Sequence, residues 1–154
     1  RTQYDGGLRT PILVRWPEKI KPRKDETHLV SSIDIVPTVL KHAIGKSVSS
    51  LPGIDLLDEQ AVSARPAIFG SIFDHDVQHM TEPAASLQYR WVIAGEWKLI
   101  VPLTPRMPKA QVELYHITKD PTEQKNLAAQ ETERVQQLTH RLNAWWPATL
   151  TKAE

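Results

Sequence analysis

Two histidines four residues apart, His75 and His79, are the first side chains in this sequence whose type and spacing suggest metal chemistry. On a helix they would share one face, as the histidine ligands of a zinc site can do. The segment has no helical pattern of apolar residues and no His-Glu-x-x-His motif, so a polar loop after a strand is the favoured interpretation. A loop that reaches toward a ligand is a third interpretation, because binding residues concentrate on loops over a rigid scaffold.

The other reactive residue types do not form a complete active site. The sequence contains no Cys, which excludes disulfides, cysteine nucleophiles and thiolate metal sites within the chain. Its serines lack a Gly-x-Ser-x-Gly elbow, and the single pair Gly6-Gly7 predicts a tight turn rather than a phosphate-binding loop. Asp120 and Glu123 could act as paired carboxylates, but their spacing favours helix capping. We therefore expect no catalytic residue and no metal ligand in this chain.

Composition places the chain among ordinary globular proteins. It has 154 residues, of which 40% are hydrophobic and 24% charged, and its formal net charge is +1. This balance gives no reason to expect a nucleic-acid partner. The longest apolar runs are far shorter than the ~20 residues needed to cross a bilayer. The sequence begins without Met, and we expect it to be a piece of a longer protein.

Prolines and apolar periodicity divide the chain into elements. Residues 11–16 predict a short, mostly buried strand. Residues 32–44 predict a helix that ends at Gly45, with Pro37 either in its first turn or splitting it into two pieces. Residues 46–66 form a predicted connecting loop. Residues 67–73, 87–94, 97–101 and 112–117 predict strands, the second and third of them joined as a hairpin by Gly95-Glu96.

Residues 132–146 give the clearest helical pattern, and a short helix is also predicted after Asp120. Sequential strands with short turns favour an antiparallel sheet, with the long helix covering one face. The predicted fold class is therefore α+β, with a roughly four-stranded antiparallel sheet packed on a C-terminal helix.

An ordered series of motifs resembles the type I sulfatases of the alkaline phosphatase superfamily. Tyr4-Asp-Gly-Gly-Leu-Arg-Thr-Pro11 is similar to the family pattern Tyr-Glu-Gly-Gly-x-Arg-x-Pro. Val30-Ser-Ser-Ile-Asp-Ile-Val-Pro-Thr38, Leu51-Pro-Gly-Ile-Asp-Leu56 and Trp97-Lys-Leu-Ile100 follow in the family's order. The run from Glu113 to Leu127 matches Glu-Leu-Tyr-Asp-x-x-x-Asp-Pro-x-Glu-x-x-Asn-Leu, except that His116 stands in place of an Asp.

The resemblance implies a two-domain parent enzyme. Residues 1–60 would be the tail of its large N-terminal α/β domain, including that domain's last strand and helix. Residues 61–154 would be the small C-terminal domain. We expect this chain to pack against the missing N-terminal domain, and the intact protein to act on a sulfated small molecule or glycan.

The resemblance also implies chemistry that lies upstream of this chain. Sulfatases use a formylglycine, made within a Cys/Ser-x-Pro-x-Arg motif, and a divalent cation, usually calcium, that neutralises charge on the sulfate. This sequence has no such motif, and the family's metal ligands and sulfate-contacting Lys also precede the Tyr4 segment. We therefore expect this chain to bind no cofactor and to be inactive alone, and expect formylglycine and calcium in the intact parent.

The residues that can be transferred from the family are few. Tyr4, Gly6, Gly7 and Arg9 match the motif that borders the sulfate pocket, with Arg9 expected to support the pocket rather than to bind sulfate. Asp5 replaces the usual Glu, which leaves its partner open.

The small domain of sulfatases often contributes to the substrate pocket. We therefore expect His75, with Asp76 or His79, to line the sugar- or aryl-binding cleft of the parent.

Two alternatives remain open from the sequence. Related phosphonate monoester hydrolases and phosphodiesterases share much of this C-terminal architecture, and a non-catalytic glycan-binding accessory module is the other possibility. The resemblance implies a periplasmic, secreted or lysosome-like location for the parent, while this sequence carries no targeting segment from which to read one.

Overall fold

The computed structural model describes residues 2–148. The described chain divides into two compact units: one comprises residues 2–9 and 69–148, and the other residues 10–68. The predicted division into residues 1–60 and 61–154 concerns the parent's domains, and it stays a prediction.

A four-stranded antiparallel sheet is the centre of the first unit. Its strands, in the order β1-β2-β3-β4, are Ile68–Phe73, Leu87–Ala94, Trp97–Pro102 and Glu113–His116. β2 and β3 form the predicted hairpin, in which Ala94 pairs with Trp97. Gly95 has a φ of +56° at this turn, a conformation that favours glycine.

The helix α4, Thr132–Trp145, covers one face of the sheet by packing on β2 and β3. Because side chains alternate along a strand, Val92, Leu99 and Leu114 share this face, and all three are fully buried. Leu138 and Leu142, four residues apart, supply the buried stripe of the helix. The α+β architecture, with a four-stranded sheet and a C-terminal helix, is thus confirmed.

The opposite face of the sheet carries different chemistry. Lys98 pairs with Ile93 on one side and with Tyr115 on the other, so these three residues share that face. Ile100 and Glu113 form the next pair along it. The N-terminal segment of the chain, with the short helix α1 (Asp5–Leu8), meets this face through Tyr4 and Asp5.

The second unit is built around a helical run. It consists of a 3₁₀ turn (Ser32–Asp34), the helix α2 (Ile35–Val39) and a π turn (Leu40–Ile44), and it ends at Gly45 with φ +73°. The short helix α3, Glu59–Ser63, follows. The predicted helix and its stop at Gly45 are confirmed.

Two predicted elements are wrong for this chain. Residues 11–16 form no strand, and Leu13 is 90% exposed. A strand needs a neighbour to accept and donate its backbone hydrogen bonds, and no strand in the described part of the chain pairs with this segment. The short helix after Asp120 is absent as well, because the Asp120 carboxylate instead accepts the N–H groups of Gln124 and Lys125 in a turn.

Candidate functional site

The turn at residues 4–9 holds the residues that we selected as the pocket border. Backbone N–H groups of Gly7 and Arg9 donate to the carbonyl oxygens of Tyr4 and Asp5 and close the turn. A Cβ on Gly7 would lie 2.2 Å from the Thr2 methyl group, whereas a Cβ on Gly6 would meet nothing within 4 Å. Arg9 is exposed. A side chain at position 7 would therefore require Thr2 to move, whereas Gly6 presents an open stretch of backbone.

Tyr4 is tied to the sheet through Glu113. Its hydroxyl donates to Glu113 Oε1 at 3.3 Å, and the Tyr115 hydroxyl donates to the other carboxylate oxygen at 2.6 Å. Burial and the nearby Glu113 carboxylate raise the pKa of both tyrosines above the usual value. The Tyr4 phenol therefore stays neutral at physiological pH and fixes the turn as a hydrogen-bond donor.

Asp5 is tied to the sheet through a buried lysine. Lys98 Nζ lies 2.7 Å from Asp5 Oδ1 and 2.7 Å from Glu123 Oε1, and the Lys98 side chain is fully buried. The Asp5 backbone N–H donates to Glu123 Oε2 at 2.5 Å. We call Asp5, Lys98 and Glu123 the buried triad. It gives Asp5 the partner that the sequence left open.

Lys98 and Glu123 were missed by the sequence analysis. The available signal for Lys98 was a charged residue in the middle of a buried strand, since buried charges are almost always paired. Glu123 was interpreted as a helix cap, which is wrong, because its carboxylate faces Lys98 and no helix follows it directly. Glu123 has φ +54°, an uncommon conformation for a residue other than glycine.

The loop at residues 74–82 holds the second group of selected residues. His75 and Asp76 have side chains 89% and 92% exposed, with His75 Nδ1 3.6 Å from Asp76 Oδ1. His79 is also exposed, and its Nδ1 accepts from Thr81. The polar-loop interpretation is confirmed, and His75 and His79 do not share a helix.

The base of the 74–82 loop is fixed although its tip is exposed. The Asp74 N–H donates to the Ser86 carbonyl oxygen at 2.7 Å, and Gln78 N–H donates to Ser86 Oγ at 2.8 Å. The Asp74 carboxylate accepts from Gln88 at 2.5 Å and forms an ion pair with Arg106. The 74–82 loop therefore exposes His75, Asp76 and His79 to solvent, while its base is anchored to neighbouring segments.

Ligands for a metal ion do not converge in the described chain. Among residues 2–148, no three His, Asp or Glu side chains are grouped so that they could hold one. The same residues include no helix with the length and apolar character needed to cross a membrane.

Comparison with known proteins then decides the family. The family model described as "N-sulphoglucosamine sulphohydrolase, C-terminal" matches residues 1–146. The chain belongs to this sulfatase family. Its resemblance to type I sulfatases, inferred above from the motifs, is confirmed.

Curated relatives of this sulfatase family chain are also sulfatases. It is 28% identical over 156 residues to an N-acetylgalactosamine-6-O-sulfatase of Bacteroides thetaiotaomicron, covering 92% of this chain and 28% of that protein. It is 26% identical over 148 residues to arylsulfatase K of Xenopus laevis, covering 93% of this chain and 27% of that protein. The chain thus spans a little over a quarter of the length of these relatives.

Solved structures share the fold of this sulfatase family chain. A candidate sulfatase of Bacteroides fragilis superimposes with a TM-score of 0.64 at 22% identity, covering 86% of this chain and 28% of that one. A protein solved in complex with its substrate D-glucosamine-2-N,6-O-disulfate superimposes with a TM-score of 0.54 at 18% identity, covering 75% of this chain and 23% of that one. Both matches concern the fold.

Proposed function

We propose that this chain is the C-terminal part of an enzyme that hydrolyses a sulfate ester, of the aryl or carbohydrate class. The observation that carries the proposal is the family match over residues 1–146, which includes the turn at residues 4–9. The curated sulfatase relatives and the sugar-sulfate substrate of one structural neighbour support a sulfated glycan or aryl sulfate as substrate.

Formylglycine and a divalent cation, usually calcium, would come from the part of the parent that precedes this chain. Calcium is bound by several oxygen ligands, carboxylates above all. Among residues 2–148, no three His, Asp or Glu side chains are grouped so that they could hold a metal ion, so these residues do not fit a calcium site. We therefore assign no step of the reaction to a metal held by this chain. The isolated chain should not hydrolyse sulfate esters.

The turn at residues 4–9 would form one border of the sulfate pocket. The open backbone at Gly6 would let a bound group or a neighbouring segment approach closely. Tyr4 would act through its hydrogen bond to Glu113, which holds the turn on the sheet. Arg9, exposed in this chain, would support the pocket.

The 74–82 loop would contact the part of the substrate that carries the sulfate. Its fixed base and exposed His75, Asp76 and His79 suit a loop that supplies hydrogen bonds to a sugar or aryl group. In the intact enzyme, His75→Ala should raise KM or lower kcat/KM and leave the melting temperature unchanged. Gln111→Ala, on an exposed residue outside this loop, serves as the control. Unchanged kcat and KM on several sulfated substrates would contradict the placement of His75 in the substrate pocket.

The missing N-terminal domain is the proposed partner of residues 10–68. Among the described residues, Leu13, Ile33 and Val36 are 90%, 47% and 52% exposed, and all three lie in this unit. Large apolar side chains that are exposed in such number are typical of a surface that a partner covers. The remainder of the parent protein would cover these side chains and would pair with residues 11–16, which lie in no helix or strand of this chain.

The proposed function is tested by assaying the intact protein with aryl and carbohydrate sulfates and, in parallel, with phosphonate monoesters and phosphodiesters. Release of sulfate by the intact protein and none by the 154-residue chain is the expected result. A preference for phosphonate monoesters or phosphodiesters would contradict the proposal and would assign the intact protein to the related hydrolases that cleave those esters. Glycan binding by the isolated chain, with no turnover by the intact protein, would favour an accessory module.

A further inference from the structure

Lys98 occupies an unusual place for a lysine. It lies in the middle of β3, on the face of the sheet opposite helix α4, and its side chain is completely buried. Moving an ammonium group from water to such a place is costly unless it is paired and hydrogen-bonded. Its partners therefore explain why the residue is there.

Both partners of Lys98 come from segments outside the strand. Asp5, 93 residues away in sequence, belongs to the turn at residues 4–9, and Glu123 belongs to the turn after β4. The two carboxylates carry two negative charges against one positive charge. Each would be buried without compensation if the ammonium group were removed, so Lys98 joins two segments that would otherwise repel each other.

The triad acts on the backbone of the turn as well as on its side chain. Glu123 Oε2 accepts the Asp5 N–H at 2.5 Å while Glu123 Oε1 lies 2.7 Å from Lys98 Nζ. Asp5 is therefore held at both its amide nitrogen and its carboxylate, and Tyr4 beside it is held through Glu113. Gly6, the open position of the turn, directly follows these two anchored residues.

We propose that Lys98 is a positioning residue for the sulfate pocket, in which its buried ammonium group fixes the turn at residues 4–9 against the small domain's sheet. This inference rests on the proposed function, because the turn must border a sulfate pocket. It assigns the sheet a role in catalysis by the parent without giving Lys98 contact with the substrate. A displacement of about 1 Å at a pocket border can reduce turnover by about 100-fold.

The test compares Lys98→Met with Arg90→Met in the intact enzyme. Arg90 is a second buried cation of the same sheet, but it lies on the other face and binds Asn143 and the Trp146 carbonyl oxygen. Three quantities are measured below both melting temperatures: kcat, KM and the rate of amide hydrogen exchange at residues 4–9. We expect Lys98→Met to speed exchange of these amides by about tenfold and to lower kcat more than it raises KM.

Arg90→Met should destabilise the protein without either effect. Equal losses of kcat in the two variants at equal stability, or unchanged exchange at residues 4–9 in Lys98→Met, would overturn the proposal.

A second variant keeps the test decisive if Lys98→Met does not fold. Asp5→Asn/Lys98→Met removes the uncompensated charge on Asp5 and should recover part of the stability. A positioning role predicts that kcat stays low and that exchange at residues 4–9 stays fast in this variant. Recovery of kcat together with stability would show that Lys98 has only a structural role, and it would overturn the proposal. If the wild-type enzyme turns over no sulfate ester, the proposed function fails, and hydrogen exchange still decides whether Lys98 fixes the turn.

Discussion

At the scale of single residues, the Asp34 side chain links separate segments of residues 10–68 through an ion pair and hydrogen bonds. Its carboxylate is completely buried and makes a bidentate ion pair with Arg65, with both N–O distances 2.6 Å. It also accepts the N–H groups of Ser31 and Ile54. Burial alone would raise the pKa of Asp34, but Arg65 and the two backbone donors outweigh it and hold the pKa below the usual range.

Removing Arg65 should therefore be costly. Arg65→Met leaves a buried carboxylate without its cation, and we expect a loss of about 3–5 kcal/mol in the free energy of unfolding. Arg23→Met provides the matched control, because the Arg23–Glu59 pair is exposed and should contribute about 1 kcal/mol or less. Urea unfolding of both variants measures the difference. Similar losses in the two would contradict the assigned role of Arg65.

Two glycines should differ in how much stability they lose on replacement by alanine. Gly53 has φ +107°, and a Cβ there would lie 2.5 Å from the Ile33 carbonyl oxygen, so Gly53→Ala should cost about 1–3 kcal/mol. Gly6→Ala meets nothing within 4 Å and should change stability by no more than about 0.5 kcal/mol. Thermal unfolding distinguishes them. In the intact enzyme, Gly6→Ala should lower activity if Gly6 borders the pocket, and unchanged kinetics would exclude this.

At the scale of elements, the Asp55 carboxylate joins the helical run 32–44 to the loop that follows it. Asp55 in that loop lies 2.8 Å from Lys41 Nζ and 2.8 Å from His42 Nε2, and it accepts the Leu57 N–H. Burial raises the pKa of Asp55, but Lys41, the Leu57 N–H and His42 together bring it below the usual value. These contacts tie the run to the loop that follows it within residues 10–68.

The lowered pKa of Asp55 predicts acid sensitivity. A carboxylate whose folded pKa lies below its unfolded value of about 3.9 contributes stability above that value, and the contribution is lost as pH falls through the folded pKa. Asp55→Asn should therefore be less stable than the wild type at neutral pH and lose less stability as the pH falls toward the folded pKa. Urea midpoints across this range test it. Asp76→Asn, on a side chain 92% exposed, is the control.

Helix α4 is held by its apolar stripe. Leu142 is completely buried against the sheet, so Leu142→Ala should lower the free energy of unfolding by about 2–5 kcal/mol. Gln136→Ala, on the exposed side of the same helix, should change it by no more than about 0.5 kcal/mol. Chemical denaturation monitored by tryptophan fluorescence compares them. A large loss of stability in Gln136→Ala would contradict the assignment of Leu138 and Leu142 as the buried stripe of the helix.

At the scale of the whole molecule, the two units differ in how completely they bury apolar surface. The sheet unit has fully buried Val92, Leu99, Leu114 and Leu142. Residues 10–68 contain most of the large apolar side chains that are exposed in the described chain. A segment that exposes so much apolar surface is typical of a piece whose partner lies elsewhere, which is consistent with the proposed N-terminal domain.

The isolated 154-residue chain should consequently self-associate. Replacing Leu13, Val36 and Val39 together by Ser should reduce this association, because these side chains are 90%, 52% and 49% exposed in residues 10–68. Met80→Ser, on a highly exposed side chain of the 74–82 loop, should not. Sedimentation velocity over a range of concentrations measures the effect. A monomeric wild-type chain would contradict the prediction.

The sequence by itself determined the elements whose signals are local. The hairpin at Gly95, the helix α4 and the stop at Gly45 each follow from residues within a few positions, since turn chemistry and apolar periodicity act over that range. The ordered motifs that begin at Tyr4 also identified the family. Only the tertiary structure decided that Lys98 meets Asp5 and Glu123, because nothing in a sequence states which distant charges share a buried site. It also decided that residues 11–16 form no strand, because a strand requires a hydrogen-bonded neighbour that no described residue provides.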